Sequence, residues 1–409
     1  MTETERAISF ALIGCLAVLL FGCDLRADRA RASDPSPGTV STDTISGVVH
    51  VTNRGAGQWT ARTAWRTREI FRFGGRDEPV HQLFSSQLLG TAIGPDGNVY
   101  VLDHLAATIS AFDTAGRLVR TIGQRGRGPS DLATPTGFTW CDDGLMWVSD
   151  PENLKYAVFD SIGEFVRTSR RSIFAYPRRQ YPLVCVPGTG VIDEAATGEK
   201  LLLLRTTADG EVHDTLMAVD RPGPFSPEVR DVAVTRPGPE FTRVATDYTR
   251  RLRWAVDPSG GIWLGSPEEL RFVKLDWSAD TLLVVTADHR ESKLTPADER
   301  LISAALRQSG LDRSQINPIR PLFQALHVME GGYLLVQLVD TPGEASPSFD
   351  VYDSGGRYLG ELDLGFAPNR LGSLGSRGNI LVAPMLGELD VPYVVGVEVV
   401  RPVDERSPR

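Results

Sequence analysis

The stretch from Ile93 to Phe138 decides the fold. It reads IGPDGNVYVLDHLAATISAFDTAGRLVRTIGQRGRGPSDLATPTGF. Three short runs in it are rich in β-forming residues and alternate with a period of two: Asn98–Leu102, Thr108–Phe112 and Leu118–Ile122. Such runs, separated by turns that contain Gly and Asp, predict strands. With a further strand pattern directly before them, the stretch predicts a unit of four antiparallel strands.

The same pattern returns 47 residues later in the chain, with ten identical residues. In the second unit these are Asp143, Gly144, Val148, Asp150, Phe159, Asp160, Gly163, Val166, Arg167 and Thr168. Repeats of this length usually belong to solenoids or propellers, because one unit cannot bury both of its faces alone. A repeat of four antiparallel strands predicts a propeller blade.

Weaker units follow, and they open near Leu183, Trp254, Phe323 and Leu371. The last unit lacks a strand, whereas a spare strand pattern, Glu69–Phe73, precedes the first unit. A ring must hide its edge strands, so this N-terminal strand is expected to complete the last blade. We therefore predict an all-β, six-bladed β-propeller over residues 47–402, closed by an N-terminal strand. Val48–Val51 is a candidate for a further pairing, and residues 403–409 form a tail.

One segment departs from the β-pattern. Thr295 is followed by Pro296 and Asp298, which is the composition of a capped helix N-terminus. Leu301 and Ala305 continue with helical spacing. The sequence predicts one short helical insertion of about three turns between the fourth and fifth blades.

The first 46 residues are not expected to belong to the propeller. Ala7–Gly22 is an apolar run of 16 residues, which suits a signal peptide better than a spanning helix of about 20 residues. Leu20–Cys23 resembles the lipobox of bacterial lipoproteins, whose cysteine is acylated. We predict a lipoprotein signal peptide over residues 1–23 with lipidation at Cys23; a plain N-terminal anchor is the alternative. Residues 24–46 are polar, which predicts a disordered tether.

This N-terminus predicts a periplasmic or cell-surface protein that is attached to a bacterial membrane only through its lipid anchor. The formal net charge is −9, so nucleic acid is not an expected partner. No nucleophile elbow, zinc-binding H-E-x-x-H motif or phosphate-binding loop occurs, and the six histidines lack metal-ligand spacing. We expect neither a cofactor nor a metal.

Gly123–Leu132, followed by Pro135–Gly137, is similar to the linker of NHL repeats, G-x-x-G-x-G-P-G-x-F…P-x-G. Ser130 and Leu132 stand where that family prefers Gly and Phe. Asp96–Asp103 matches the companion pattern, D-G-N-x-Y-V-x-D. The chain thus resembles bacterial six-bladed β-propeller lipoproteins with NHL-like repeats, most specifically over residues 88–168. The resemblance implies the fold and leaves the function open, because propellers serve as binders, scaffolds, hydrolases and lyases.

Strand alternation assigns each loop to one end of the ring. The turns at Asp96 and Asp113 share one end, and the 103–107 turn shares the other end with the 123–135 and 167–182 linkers. The resemblance implies that ligands bind at this second end. The candidate ligand-binding residues there are Asp103, His104, Arg125, Arg127, Asp150, Arg178 and Arg179.

Arginine side chains bind carboxylate or phosphate oxygens through paired hydrogen bonds, which favours an anionic glycan or peptide as the ligand. Alternatively, these arginines pair with neighbouring acids in a solvated loop. Asp103 and Asp150 hold matching positions in adjacent blades. They either form part of a carboxylate ring around the channel or cap the turns that join each blade to the next. His104 is the one histidine expected in a loop of this face.

Cys141 and Cys185 fall near the ends of the innermost strands of two adjacent blades. In an exported protein they could form a disulfide that closes a loop of about 45 residues and stabilises the fold by roughly 3–4 kcal/mol. Two buried thiols are the alternative.

Together these patterns predict an exported module that binds a ligand or partner, with no catalysis evident. The expected partner is an anionic glycan, a peptide or an envelope protein. The alternative is a propeller hydrolase or lyase with a metal in the central channel, and a structural scaffold is a third possibility.

Overall fold

The computed structural model of the chain describes residues 37–75, 84–85, 88–171, 183–197, 200–207, 210, 213–220, 244, 248, 252–315, 318–339, 349–366, 374–387 and 391–402. The predicted signal peptide, the lipidation site at Cys23, most of the predicted tether and the tail lie outside these residues.

Six sheets confirm the predicted six-bladed propeller. Three strands precede the first blade: β1 (Thr39–Ile45), β2 (Val48–Arg54) and β3 (Arg66–Gly74). Blade 1 consists of β4 (Leu88–Ile93), β5 (Val99–Asp103), β6 (Thr108–Phe112) and β7 (Leu118–Ile122). Blade 2 consists of β8 (Gly137–Trp140), β9 (Met146–Asp150), β10 (Lys155–Phe159) and β11 (Phe165–Arg170). Blade 3 consists of β12 (Leu183–Val186), β13 (Gly190–Thr197), β14 (Lys200–Thr206) and β15 (His213–Asp220).

The second half of the ring follows the same plan. Blade 4 contains β16 (Arg253–Val256), β17 (Ile262–Gly265), β18 (Arg271–Leu275) and β19 (Thr281–Ala287). Helix α1 (Pro296–Ser309) and a 3₁₀ turn (Arg313–Gln315) come next. Blade 5 contains β20 (Phe323–Met329), β21 (Tyr333–Leu338), β22 (Phe349–Tyr352) and β23 (Tyr358–Leu362). Blade 6 contains β24 (Gly375–Arg377), β25 (Ile380–Leu386), β26 (Pro392–Val400) and, as its outermost strand, β3.

The closure by an N-terminal strand is confirmed, because β3 pairs antiparallel with β26 from Tyr393↔Gly74 to Val400↔Arg66. The first and last parts of the folded chain therefore share one sheet. This arrangement covers the edge that the last blade would otherwise leave open.

The N-terminal segment also covers blade 4, through a strand that contains Val48–Val51, the candidate for a further pairing. β1 and β2 form a hairpin, and β2 pairs in parallel with β19, from Leu283↔Val49 to Ala287↔Asn53. The predicted tether over residues 24–46 is thus wrong for Thr39–Ile45, which form β1. Val40 packs against the core of blades 4 and 5, a contact that the polar composition of this segment does not reveal.

The core lies between the blades. Strand β5 shows why: its side chains are buried on both faces, with Val99 and Val101 packed towards blade 6 and Tyr100 and Leu102 towards blade 2. Similar hydrophobic clusters fill the contacts between blades 2 and 3, 3 and 4, 4 and 5, and 5 and 6. Each blade therefore buries its two faces against its neighbours, as expected for a repeat architecture.

Helix α1 begins as predicted. The Thr295 hydroxyl accepts a hydrogen bond from the Asp298 amide, while the Asp298 carboxylate accepts one from the Thr295 amide, which is a capping box. The helix ends at Gly310, whose φ of 71° allows the left-handed conformation. Its 14 residues make it about one turn longer than predicted.

Candidate functional site

The strand order places the loops at the two ends of the ring as the sequence predicted. The turns that join β5 to β6 and β9 to β10, and the linkers from one blade to the next, lie at one end, here called the linker face. The turns at Asp96, Asp113, Asp143 and Asp160 lie at the opposite end, the turn face.

Asp103 and Asp150 are buried at the linker face and bind backbone groups. The Asp103 carboxylate accepts hydrogen bonds from the amides of Ser85 (2.7 Å) and Ala106 (2.9 Å). The Asp150 carboxylate accepts hydrogen bonds from the amides of Ala133 and Thr134, each at 3.0 Å. Each carboxylate therefore joins its blade to the linker before it. Of the two alternatives for these residues, the contacts are those of side chains that cap the turns between blades. These bonds satisfy acceptors that a bound cation would need.

His104 is also buried, and its Nδ1 lies 2.9 Å from the carbonyl oxygen of Pro135. A carbonyl can only accept a hydrogen bond, so Nδ1 carries the proton in this contact. His104 thus holds the 123–136 linker against blade 1.

The 123–136 linker folds back on itself as a compact loop that is closed by a parallel bridge between Arg125 and Leu132. Gly126 donates its amide to the carbonyl of Leu132 (3.0 Å), and Leu132 donates its own to Gln124 (2.8 Å). Asp131 lies inside the loop, and its carboxylate accepts a hydrogen bond from the amide of Gly128 at 2.9 Å. A Cβ at Gly126 would lie 2.2 Å from the Asp131 carboxylate, so the glycine of the NHL-like motif is required here by space.

A depression of about 380 Å³ lies between this linker and the outer part of blade 2. It is lined by Arg127, Gly128, Pro129, Asn153, Leu154, Lys155, Thr168, Ser169 and Arg170. Three of these nine residues are cationic and none is acidic. We call this site the basic depression.

The three cations differ in what they contact. Arg127 and Arg170 are exposed, and their guanidinium groups have no hydrogen-bond or ion-pair partner in the described part of the chain. Lys155 is buried, and its Nζ donates to the carbonyls of Gly128 (2.7 Å) and Pro129 (2.8 Å). Burial lowers the pKa of the Lys155 ammonium, while the nearby carboxylates of Asp150 and Asp131 oppose that shift.

The other candidate arginines do not contribute to the basic depression. Arg125 donates to the carbonyls of Leu105 and Ala133 and so connects the linker to blade 1. Arg178 and Arg179 lie outside the described residues.

Two further arginines of the predicted linker face have structural contacts. Arg167 lies over the ring of Trp147 at 4.9 Å. Arg171 is buried and forms an ion pair with Asp193 at 2.7 Å, and Asp193 also accepts a hydrogen bond from the Tyr156 hydroxyl at 3.1 Å. This network joins the end of blade 2 to blade 3.

A second polar cluster joins the segment after β19 to blade 5. The buried Asp350 carboxylate lies 2.9 Å from Nε2 of His289 and 2.9 Å from a guanidinium nitrogen of Arg290. Burial alone would raise the pKa of Asp350, but the hydrogen bonds from His289 and Arg290 outweigh it and lower the pKa below its usual range. The His289 ring stacks on Tyr358 at 4.0 Å. Arg290 also pairs with Glu361, so this cluster joins β22 and β23 of blade 5 to the segment after β19.

Asn153 and Lys155 were not among the predicted site residues. A signal for both is present in the repeat, since they replace Ala106 and Thr108 of blade 1 at a spacing of 47 residues. These positions are informative because they differ between the two units.

Cys141 and Cys185 form a disulfide, with Cα atoms 5.2 Å apart. Cys141 follows β8, and Cys185 belongs to β12. The bond therefore connects the innermost strands of blades 2 and 3 near the turn face.

In the described part of the chain, no group of three or more His, Cys, Asp or Glu side chains is arranged to hold a metal ion. Across the same residues, no helix has the length and apolar character needed to cross a bilayer.

No family model and no curated protein match the chain. Several solved structures do. A member of the DUF4221 family from Bacteroides vulgatus has 10% identity and a TM-score of 0.48, and the match covers 83% of this chain and 98% of that one. A Bacteroides fragilis protein described as exported has 11% identity and a TM-score of 0.47, with coverage of 86% and 100%. Virginiamycin B lyase from Staphylococcus aureus has 11% identity and a TM-score of 0.43, with coverage of 82% and 100%. Since these identities and TM-scores are low, no activity is transferred from these proteins to this chain.

Proposed function

We propose that this chain is an exported, lipid-anchored β-propeller that binds a carboxylate-bearing ligand at the basic depression of its linker face. One observation carries the proposal. The exposed guanidinium groups of Arg127 and Arg170 border a depression that has no acidic residue in its lining. Guanidinium groups bind carboxylates through paired hydrogen bonds, and unpartnered ones are free to do so.

The strand register supports this proposal. Lys155 on β10 and Arg170 on β11 are directly opposite each other in the antiparallel ladder. Like charges in opposite positions destabilise a sheet. A bound anion would offset that cost, whereas the empty site retains it.

The shape of the depression favours part of a polymer over an enclosed small molecule. Pockets for small ligands are concave, mostly apolar and bury most of the ligand surface. The basic depression is open and lined largely by polar residues and backbone, although Leu154, 47% exposed, adds an apolar contact. An acidic residue within a glycan or peptide chain fits this description.

Export and anchoring are proposed from the apolar run that ends at Cys23 and from the lipobox-like Leu20–Cys23. Metabolic labelling with palmitate tests the anchor. The label should enter the wild-type protein and be lost in Cys23→Ser. Equal labelling of both proteins would exclude lipidation at this cysteine.

The binding proposal is tested with a short oligogalacturonate, a short polyglutamate peptide and a neutral oligosaccharide of the same length as the first. Arg127→Ala and Arg170→Ala should each weaken binding of an acidic probe about tenfold or more, because a hydrogen bond to a charged group contributes roughly 1.5–3 kcal/mol. Binding should also weaken with salt, since exposed charges are screened. Isothermal titration calorimetry measures all three probes.

Arg357→Ala is the matched control. Arg357 is also exposed, but it follows the Asp353 turn on the turn face, so its loss changes the net charge equally without touching the basic depression. Oligogalacturonate binding alone would identify a glycan ligand, and polyglutamate binding alone a peptide ligand. Binding of neither acidic probe, or equal weakening by Arg357→Ala, would refute the proposal.

A further inference from the structure

The basic depression is an addition to the common blade. The turn from β5 to β6 in blade 1 and the turn from β9 to β10 in blade 2 have the same length, and both end on a left-handed residue, Ala107 (φ 57°) and Leu154 (φ 50°). At five of the six blade 2 positions that line the depression, however, the side chains differ, and only Thr168 is matched by the same residue, Thr121. Blade 1 has Ala106, Ala107, Thr108, Ile122 and Gly123 where blade 2 has Asn153, Leu154, Lys155, Ser169 and Arg170. The blade itself therefore does not require the polar residues of blade 2.

Two of these added residues anchor the linker that carries Arg127. The Asn153 amide donates to the carbonyl of Gly126 at 3.1 Å, immediately before Arg127. The Lys155 ammonium donates to the carbonyls of Gly128 and Pro129, immediately after it. The backbone is thus fixed on both sides of Arg127, while the Arg127 side chain itself stays exposed.

The burial of Lys155 indicates that its ammonium group binds other parts of the protein and not solvent. Its residue exposure is 9%, and two carbonyl oxygens accept its hydrogen bonds. Burying an ammonium group is costly, and the threonine of blade 1 avoids that cost at the same backbone position. A residue that is costly and unnecessary for the blade needs another explanation.

We propose that Lys155 and Asn153 are positioning residues, which hold the linker so that Arg127 is presented to an anion bound in the basic depression. Fixing a recognition group before binding raises affinity, because less conformational freedom is lost on binding. Lys155 contributes to recognition through the linker backbone, and Arg127 and Arg170 contact the ligand. The inference rests on the proposed function.

The test transplants the blade 1 residues into blade 2. The variant Asn153→Ala with Lys155→Thr should fold, because blade 1 carries Ala and Thr on the same backbone. Its affinity for the short oligogalacturonate should fall about tenfold, and the salt dependence of that affinity should fall less than in Arg127→Ala, because Lys155 lies near the bound anion without contacting it. Arg127→Ala should lower both the affinity and its salt dependence, since it removes a charge that contacts the probe. Lys293→Thr, which removes an exposed lysine elsewhere, is the control and should leave both unchanged.

Hydrogen exchange supplies a readout that is independent of the ligand. The amides of residues 126–128 should exchange at least tenfold faster in the double variant, and those of the β5–β6 turn in blade 1 should be unchanged. Faster exchange with full affinity would overturn the positioning role, and a salt dependence reduced as far as in Arg127→Ala would show that Lys155 contacts the ligand directly. Unchanged exchange would show that the two side chains do not hold the linker. If the wild type binds no acidic probe, the proposed function fails, while the exchange rates still decide whether the linker is clamped.

Discussion

Blades 4 to 6 are connected in a different way from blades 2 and 3. In the former, the N-terminal segment runs along the outer edges: β2 pairs with β19, Gln58 and Trp59 donate their amides to the carbonyls of Tyr358 and Leu359, and β3 pairs with β26. Blades 2 and 3 pack through a hydrophobic cluster, as the other blades do, and the Arg171–Asp193 ion pair and the Cys141–Cys185 disulfide add two contacts made by single side chains.

The difference teaches how the stability of the ring is distributed. Along blades 4 to 6, many backbone hydrogen bonds connect the N-terminal segment to the blades, so loss of one side chain leaves most of these bonds in place. Between blades 2 and 3, the ion pair and the disulfide each depend on single side chains, so one substitution removes the whole contact. The basic depression lies on the side of blade 2 that faces blade 1, so these contacts can be altered without touching its lining.

The largest effect is expected at the ion pair. Arg171→Met leaves the fully buried Asp193 carboxylate without its charged partner, and breaking such a pair typically costs about 3–5 kcal/mol. Urea unfolding should show this loss of stability. The double variant Arg171→Met with Asp193→Leu should recover a substantial part of it, because no uncompensated charge remains. Equal stabilities of the single and double variants would show that the ion pair is not the cause.

The disulfide should have the next largest effect. Its removal in Cys141→Ser with Cys185→Ser should cost roughly 3–4 kcal/mol, because the unfolded chain is no longer constrained by a closed loop. A reducing agent should lower the thermal midpoint of the wild type and leave that of the double variant unchanged. Titration of the denatured, unreduced protein offers a direct check, since two free thiols would contradict the disulfide.

The smallest effect is expected in the N-terminal segment, at Asn53. Its buried side chain donates to the carbonyls of Thr286 and Gly356 and accepts the amide of Tyr358, which connects β2 to blades 4 and 5. Asn53→Ala leaves these groups without a partner and should cost about 1–3 kcal/mol. The pairing of β2 with β19 remains, so cleavage by a protease should become faster within residues 38–64 only.

Gln58→Ala is the control for Asn53. The side-chain amide of Gln58 donates one hydrogen bond within the N-terminal segment, to the carbonyl of Gly38, and the substitution leaves the backbone hydrogen bond from Gln58 to Tyr358 in place. It should change stability by less than Asn53→Ala does. If Asn53→Ala is more destabilising than Arg171→Met, the contrast between the two halves of the ring is wrong.

The fold was largely predictable, because strand alternation and turn residues within each repeat unit indicate its secondary structure. Tyr100 and Trp147 occupy matching positions in β5 and β9, and their alternation with apolar neighbours predicts strands buried on both faces. Thr295 and Asp298 identify the start of α1, because their side chains can form a capping box. The strand β1 was missed, because Thr39–Ile45 are polar and mostly exposed, and the neighbouring β2 rather than a core of its own orders them.

The candidate site was predictable only in part. Arg127 was singled out, and the linker face was assigned from strand alternation. The partners of each arginine depend on residues far away in sequence, such as Asp193 for Arg171 and Leu105 for Arg125. The arginines of the linker face therefore look alike in the sequence, whereas in the fold Arg125 and Arg171 hold structural contacts and Arg127 is exposed.

The sequence by itself determined the four-stranded repeat, the number of blades, the closing strand and the end of the ring where each loop lies. These properties follow from local alternation and turn chemistry, and they need no knowledge of distant contacts. Only the tertiary structure decided that Asp103 and Asp150 hold linkers, that Lys155 is buried beneath the linker, and that Arg127 and Arg170 remain exposed. The reason is that burial and hydrogen-bond partners arise only when linker and blade pack together. The neighbours that a charged side chain meets there decide whether it holds the fold together or stays exposed for a ligand.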